Sequence, residues 1–452
     1  MIAAFALAVG ASPGAAAPPS FVHETLDNGF RVSILSDPSF TVVATRLAVD
    51  VGSAHEAEGE TGFAHLFEHL FSGGETQQVD ERAWSRLHRI AGGYTNAFTG
   101  FDQTVYVSDI PADAHPEVLA FIDGWFDGMV FTPEALETEK RIVAEELRLR
   151  TENDPFDRAF AAAQRELLAG HPYGHEIAGT HEDIEAATVE LCRKFYDRHY
   201  TADRLHLVIV GPVDAQGLLA DVRSRFGDLP KSTTPLPDVP WLHEWTFPEA
   251  FSVSEDLPPA RTLALLYPLP HRAHPDHWAL KVLQVMLNDG QVDPFEDVLV
   301  GQMGKGLEAG NYSLTFRAGG VAVFYSAHLL YRSAKRGHAL MHEAMAQMSD
   351  ADWRSEIRLE AAKRRMLRQQ LAVRWSPSSL ATRIISAEAD FSDAAIGLDH
   401  ATPLAEVTLA DIERVWRTWY AEATPIEVEM RPNRIPLAAR LFGWTVPLFG
   451  GV

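Results

Sequence analysis

The chain has 452 residues, a length that predicts two or more domains. Its hydrophobic content of 46% is enough for a buried core. Its formal net charge is −23, and it has no basic stretch that could neutralise phosphates, which argues against a nucleic-acid role. A single cysteine, Cys192, excludes an internal disulfide and a cysteine metal site.

The first 18 residues are predicted to be a remnant of a secretory signal peptide. Residues Ile2–Val9 are apolar and Ala15–Ala17 offer a small-residue cleavage site, although a basic start is missing. The alternative is a disordered Ala/Pro arm. No later apolar run approaches ~20 residues, so we expect no membrane span. Export without disulfides favours a periplasmic or secreted bacterial protein.

The chain then begins with strand patterns. Two strands are predicted at Val22–Leu26 and Arg31–Leu35, joined by a turn at Asp27–Gly29. Thr41–Val51 alternates apolar and polar residues, which predicts a strand that is buried on one face and exposed on the other.

The stretch Thr61–Glu75, TGFAHLFEHLFSGGE, follows this strand and predicts a helix that Thr61 could cap. His65 and His69 are one turn apart, so their imidazoles can bind one Zn²⁺ from the same face. Glu68 is close enough to take a proton from a water activated by the metal. The order HxxEH is the inverzincin signature. The alternative is a pair of ordinary core histidines.

A helix at about Asp80–Ile90 is predicted next, followed by a hairpin-like pair of strands at Tyr94–Phe98 and Thr104–Val107. A strand beside a metal site can pair its backbone with an extended peptide. The alternative is an ordinary structural strand.

A second metal-binding element is predicted in the helix that Thr132 caps and that ends before Pro155. Glu139 and Glu146 lie on its apolar stripe, whereas Glu145 lies about 100° away. A buried carboxylate needs a partner, which is either a metal ion or an arginine. The stripe is predicted to consist of Ala135, Leu136, Ile142, Val143 and Leu149.

The rest of the chain is predicted to form one more strand of the first half and then a second half with a similar mixture of elements. We interpret His171, His175 and His181 as loop residues because they lack regular spacing. The predicted divisions are a first domain over 19–230, a linker at 231–248 and a second domain over 249–452. The further elements are helices at His115–Met129, Phe156–Leu168, one through Phe195, 276–287, Ala351–Val373, Ser378–Ala389 and Thr408–Tyr420, and strands at Leu205–Gly211, Thr262–Tyr267, Asn311–Phe316, Val321–His328 and Pro425–Met430.

Several stretches resemble the pitrilysin, insulin-degrading enzyme and mitochondrial processing peptidase group of zinc metallopeptidases, in its short bacterial form. The resemblance covers most of the chain from Val22 onward. Its marks, in the family's order, are GFAHLFEHLFSGG, GGYTNAFTGFDQTVY, EKRIVAEE, HPYGHEIAGT and FYDRHYTADRLHLVIVG.

The resemblance implies an α+β fold with two related domains of mixed or antiparallel sheet flanked by helices, forming one half of a clamshell. It implies one Zn²⁺ per chain, held by His65, His69 and Glu146, which lies 77 residues past His69. Glu68 would be the catalytic base, and Glu139 would support the site without itself binding the metal. The Asn96–Ala97 strand would bind a short unfolded peptide.

The second half departs from the family pattern. An arginine and a tyrosine are expected there to hold the substrate, but this chain has GKGLEAGNYS. Tyr312 can stand for the tyrosine, and Lys305 lies where the arginine would be, although lysine cannot reproduce the bidentate contacts of arginine. We therefore expect a dimer, including a heterodimer whose other subunit supplies this pair. The alternative function is a non-catalytic structural or assembly subunit.

Overall fold

A computed structural model describes residues 18–73, 75–76, 83–149, 153–258, 260–288, 293–329, 333–350 and 352–434. The predicted signal segment lies outside these residues except for Pro18. The strands are β1 (Ser20–Thr25), β2 (Arg31–Ser36), β3 (Val42–Val49), β4 (Glu75–Thr76), β5 (Tyr94–Thr99), β6 (Thr104–Pro111), β7 (Met129–Val130), β8 (Leu205–Gly211), β9 (Ala250–Glu255), β10 (Ala260–Leu269), β11 (Glu308–Phe316), β12 (Gly319–Leu329) and β13 (Ile426–Pro432).

The helices alternate with these strands and lie in both halves. They are α1 (Phe63–Gly73), α2 (Ala83–Ala91), α3 (His115–Gly128), α4 (Pro133–Leu147), α5 (Pro155–Leu167), α6 (His181–Ala186), α7 (Val189–His199), α8 (Ala215–Phe226), α9 (His277–Leu287), α10 (Pro294–Glu296), α11 (Ala334–Asp350), α12 (Glu356–Val373), α13 (Pro377–Phe391), α14 (Ala401–Glu406) and α15 (Leu409–Trp416). Two π-helical stretches continue α10 and α15, at Asp297–Gln302 and Arg417–Ala421.

Two large sheets confirm the predicted α+β fold with two related domains. The first has the order β1-β2-β8-β3-β6-β5, and the second has the order β11-β12-β10-β13-β9. Read in reverse, the second sheet repeats the first from β2 to β5, strand for strand. The first pair of the five-strand repeat is parallel in both sheets, β2 with β8 and β9 with β13, while all other neighbouring strands, including β1 with β2, are antiparallel.

The two halves are joined by helices that cross over. Helix α13 of the second half packs on one face of the first sheet, where Leu380, Ile384 and Ile385 share a core with residues of β3, β6 and β8. On the second sheet, Leu167 and Leu168, at the end of α5, share a core with residues of β10, β12 and β13. Each half therefore covers part of the other half's sheet.

The crossing of α13 makes the prediction for β3 wrong, because this strand is buried on both faces. Arg46, which we expected on the exposed face, is 2% exposed. Its guanidinium donates to Asp109 at 2.8 Å and to Thr382 of α13 at 3.2 Å. The polar residues of β3 thus mark a contact between the halves and not a solvated surface.

One helix prediction also needs correction. The predicted helix Ala351–Val373 begins only at Glu356, and the preceding helix α11 was missed. The indole of Trp353 donates to the carbonyl of Met348 at 2.8 Å, and the hydroxyl of Ser355 caps α12, so the chain turns between the two helices. The helix predicted at about Asp80–Ile90 is described from Ala83 to Ala91, and the predicted positions 80–82 lie outside the described residues.

Helix α4 buries a narrower stripe than we predicted. Leu136, Val143 and Leu147 are buried, whereas Ile142 is 39% exposed and Leu149 is 61% exposed. Val143 lies seven residues after Leu136, and Leu147 lies four residues after Val143, so the three side chains form a row on one face of the helix. Ile142 lies about 100° away from that row and therefore faces outward.

Candidate metal centre

Helix α1 is fixed by its apolar residues. Phe63, Leu66, Phe67, Leu70 and Phe71 are all at most 2% exposed and form part of the main core of the first half. Burial of five large side chains on one face leaves the three polar residues of the motif on the opposite face. His65, Glu68 and His69 accordingly line a cavity of about 660 Å³.

The start of α1 is held by a carboxylate, and the prediction that Thr61 caps it is wrong. Glu56 accepts hydrogen bonds from the backbone N–H groups of Gly62 and Ala64, both at 2.8 Å. The hydroxyl of Thr61 instead donates to Asp183 of α6 at 2.5 Å. A buried carboxylate at this end of the helix satisfies backbone donors and complements the helix dipole.

Glu56 also contacts His175, in the loop before α6, at 3.1 Å. The Glu56 side chain is completely buried. Burial raises the pKa of Glu56, although the hydrogen bonds from His175 and from the two backbone N–H groups oppose the change. His171 and His175 lie outside the helices and strands, as predicted, and His171 is buried. His181 is instead the first residue of α6.

Helix α4 brings two carboxylates against α1. An oxygen of Glu146 lies 3.5 Å from Nε2 of His65 and 3.8 Å from Nε2 of His69. An oxygen of Glu139 lies 3.4 Å from the other ring nitrogen of His69, Nδ1. The two histidine rings are nearly perpendicular, with centroids 4.8 Å apart.

This cluster fits a zinc ion. One donor atom from each of His65, His69 and Glu146 lies within 4.8 Å of the other two. Ligands of a tetrahedral zinc at ~2.0–2.1 Å are separated by about 3.3 Å, so small movements of the side chains would close the set. Two imidazoles and one carboxylate also form a donor set that zinc enzymes use, with one position left open.

Charges around His69 favour its protonated form. Burial alone lowers the pKa of His69, but the hydrogen bond to Glu139 and the charges of Glu146, Glu139 and Glu68 outweigh it, so the pKa is raised. The same negative charges would favour a bound cation in place of the proton.

Glu68 is held by the edge strand of the first sheet. The hydroxyl of Thr99, at the end of β5, donates to Oε2 of Glu68 at 2.6 Å. Asn96 and Ala97 of the same strand line the cavity with Glu68. Among the described strands, β5 pairs only with β6, so its other edge has backbone groups available for another strand.

The structure does not bring Tyr312 and Lys305 into this cavity. Tyr312 lies on β11 and lines a separate, largely apolar cavity of about 530 Å³ between α5 and the second sheet. Lys305 is exposed in the loop before β11. The assignment of Tyr312 as a substrate contact therefore stays a prediction.

Sequence reasoning missed Thr99, Glu56 and His175. The family-like stretches contain Thr99 and His175 and could have directed attention to them. The contact of Glu56 with His175 had no local signal, because the two residues are 119 positions apart in the chain.

The duplicated sheets and the crossing helices give an α+β fold of two related units. The chain belongs to peptidase family M16, the insulinase family. Residues 31–181 match the family profile described as Insulinase (Peptidase family M16), and residues 186–327 match the profile described as Peptidase M16 inactive domain.

Individual relatives agree with this family. An "Uncharacterized zinc protease" of Rickettsia bellii is 30% identical over 211 residues, which are 46% of this chain and 50% of the relative. The match thus spans about half the length of that curated relative. A crystal structure of a protease from Helicobacter pylori has the same fold, with a TM-score of 0.79, 21% identity and coverage of 92% of this chain and 100% of that chain.

The periplasmic protease PqqL from Escherichia coli shares the fold over part of its length. The TM-score is 0.70 at 20% identity, and the likeness covers 94% of this chain but only 49% of PqqL. This chain therefore has the fold of half of that protein. No helix in the described part of the chain has the length and apolar character needed to cross a bilayer.

Proposed function

We propose that this protein is a zinc-dependent endopeptidase that cleaves short unfolded peptides. His65, His69 and Glu146 hold the metal, and Glu68 is the general base. The observation that carries the proposal is the convergence of three donor atoms within 4.8 Å, beside a fourth acidic residue on the same face of α1. The family relationship supports the same chemistry.

When bound, zinc would supply a Lewis acid that lowers the pKa of water and polarises the scissile carbonyl. The protein's own contribution is the movement of protons by Glu68. Its carboxylate takes a proton as water attacks the carbonyl carbon, and it gives that proton to the leaving amine when the C–N bond breaks. Thr99 holds one carboxylate oxygen and so fixes the orientation of the base.

Glu139 has a positioning role in this proposal. It faces Nδ1 of His69, so it would orient the ring and hold the proton on Nδ1, which leaves Nε2 as the metal ligand. A carboxylate behind a ligating histidine also makes the imidazole a stronger donor.

The peptide would lie along the open edge of β5, near Asn96 and Ala97. Pairing with a strand edge holds the peptide backbone and places few demands on its side chains. Such a binding mode requires an extended peptide, which favours unfolded substrates over folded proteins. Tyr312, in the second half of the chain, would contact the same peptide at a point further from Asn96 and Ala97.

We further propose that the chain works as a dimer in the bacterial periplasm or after secretion. It has the fold of half of PqqL, and that protein is periplasmic. GKGLEAGNYS lacks the expected arginine, so a heterodimer whose partner supplies this residue is the arrangement that we favour. The signal-like first residues support the same location.

The test is the change Glu68→Gln in the complex that purifies with the native protein. The amide cannot accept the proton, so peptide cleavage should fall by about 10²–10⁴-fold while zinc content stays unchanged. Zinc is measured by elemental analysis of the same preparation that is assayed for cleavage. Full activity of the variant with zinc bound would remove Glu68 from the role of base.

A second candidate function is a non-catalytic subunit of a peptidase complex. The departure at GKGLEAGNYS favours it, as does the position of Tyr312 outside the lining of the cavity with the histidines. The two candidates differ in metal content, because a scaffold has no need of one zinc per chain. Elemental analysis that finds no zinc in the purified native complex would favour the scaffold.

A further inference from the structure

The second half contains a polar cavity of about 320 Å³ that the proposed peptidase function does not use. It lies between helices α9 and α13 and strand β11. Three cationic side chains line it, from the chain segment before α9, from α9 itself and from α13. These three are Arg272, Lys281 and Arg383, and two histidines, His277 and His400, also line it.

One of the three cations is neutralised within the protein. Arg272 binds both oxygens of Asp390, at 3.1 and 2.7 Å, and donates to the carbonyl oxygen of Thr315 at 2.8 Å. Asp390 is the only acidic residue among those that line the cavity. This ion pair therefore forms a fixed part of the wall. Asp390 also attracts Lys281, and Asp399 attracts Arg383, but neither of these two cations has a carboxylate at ion-pair distance in the described part of the chain.

Lys281 and Arg383 have no hydrogen bond or ion pair within the described residues. The Nε atom of Arg383 is buried and lacks a hydrogen-bond partner. The ammonium of Lys281 lies 5.4 Å from the centre of the Trp278 ring, which is a weaker contact than an ion pair. Repulsion from Arg272 and Arg383 contributes, after burial, to a lowered pKa of Lys281.

The two histidines add neutral hydrogen-bonding groups. Burial and the neighbouring cations lower the pKa of His277 to about 3 and that of His400 to about 3. Both rings are thus neutral near pH 7, and each has one N–H to donate. Nε2 of His400 is buried and has no partner in the structure.

Two unpaired cations in a cavity are unexpected in a chain with a net charge of −23. Three cations against one carboxylate give the lining of this cavity an excess of positive charge, which points to a ligand of opposite charge. We propose that this cavity binds a phosphate dianion, either inorganic phosphate or the phosphate group of a small monoester. Lys281 and Arg383 supply its two compensating charges, and His400 supplies a further contact.

The geometry suits this anion. The planar guanidinium of Arg383 can donate two parallel hydrogen bonds to phosphate oxygens, and Lys281 acts as a point charge. The cavity also has the size to hold a small ester. Because Lys281 is on α9 and Arg383 is on α13, the anion would connect the helices of the second half to the helix that packs on the first sheet.

The proposal is tested by calorimetric titration of the full-length protein at pH 7.5. Inorganic phosphate is the probe in one arm and glycerol 1-phosphate in the other, both at an ionic strength matched with sodium chloride. We expect saturable binding and a rise in Tm with phosphate. Tighter binding of the ester identifies a monoester as the ligand, and equal or tighter binding of inorganic phosphate identifies free phosphate.

Matched variants separate a specific site from general charge effects. Lys281→Gln and Arg383→Gln should each weaken binding by about tenfold, because each removes a charge-assisted contact. Lys335→Gln and Arg336→Gln, at exposed positions of α11, should leave it unchanged. Glu146→Gln should also bind phosphate normally, which separates this site from the metal centre.

Arg383→Lys keeps the positive charge, so it should bind phosphate more tightly than Arg383→Gln. It also serves as a second variant in case Arg383→Gln fails to fold. Absence of saturable binding in the native protein would overturn the proposal. So would binding that is unaffected by both Lys281→Gln and Arg383→Gln.

Discussion

Glu145 and Glu146 are neighbours in the chain but have different surroundings. Glu146 faces His65 across 3.5 Å, whereas Glu145 is exposed and lies 3.5 Å from Arg148. One step along a helix rotates a side chain by about 100°, so helix phase alone separates the two carboxylates. This was readable from the sequence, because Leu136 and Val143 mark the buried row on which Glu146 lies.

The pair offers a matched test of the metal ligand. Glu146→Gln replaces a charged ligand with a neutral amide, so we expect bound zinc to fall from one per chain to nearly none after dialysis. Glu145→Gln makes the same chemical change on the exposed face and should retain zinc. Elemental analysis of both variants is the measurement, and loss of zinc in Glu145→Gln alone would contradict the assignment.

Glu139, whose carboxylate faces Nδ1 of His69, can be tested with a similar pair of variants. Glu139→Gln should weaken zinc binding by about 10–100-fold, because the imidazole loses the carboxylate that orients it and strengthens it as a donor. Competition with a zinc-binding dye measures the affinity. Glu137→Gln, two residues away and exposed, is the control, and equal affinities of the two variants would show that Glu139 has no supporting role.

At the scale of elements, the position of α1 depends on what holds its first turn. Glu56 is buried and satisfies the N–H groups of Gly62 and Ala64, which would otherwise lack partners. Its contact with His175 ties the start of the helix to the segment between α5 and α6. The metal ligands are therefore placed by a residue that lies before the motif.

Glu56→Ala should lower the free energy of unfolding by about 2–3 kcal/mol, because two backbone donors are left buried without a partner. Urea denaturation followed by circular dichroism measures this change. Glu58→Ala, at an exposed position two residues away, should change it by less than about 0.5 kcal/mol. Equal stabilities of the two variants would count against the capping role.

The elements that sequence could predict are those with their own period or cap. α1 and α4 have apolar stripes, and Thr132 caps α4 as predicted. The burial of both faces of β3 could not be predicted, because it depends on α13, more than 300 residues further along. The turn between α11 and α12 depends on contacts from Trp353 and Arg354 to the carbonyl of Met348, which periodicity does not reveal.

At the scale of the whole molecule, many histidines are buried in the neutral form. Burial lowers the pKa of His115 to about 4, and burial with the charges of Arg198 and Arg204 lowers that of His199 to about 2. In the unfolded chain both titrate near 6.5. The unfolded state therefore takes up protons at a pH where the native state does not.

We therefore expect stability to be highest above pH 6.5 and to fall as the pH decreases from 6.5 towards 4. His115 alone would account for about 3 kcal/mol over this interval. Tm measured at pH 7.5 and 5.0 should show a clear decrease, and His115→Gln should make that decrease smaller. A Tm that is the same at both values would contradict the prediction.

The crossing of α5 and α13 has a consequence for any attempt to divide the chain. A cut within residues 231–248 would give two fragments, and each would expose an apolar face of its sheet. That face is covered in the intact chain by α13 or by the end of α5 from the other fragment. Expressed separately, the fragments should be insoluble, whereas co-expression should restore a soluble, nicked protein, as measured by the yield in the supernatant. A soluble fragment on its own would mean that the exchanged helices are dispensable, and the chain would then be two modules instead of one cooperative body.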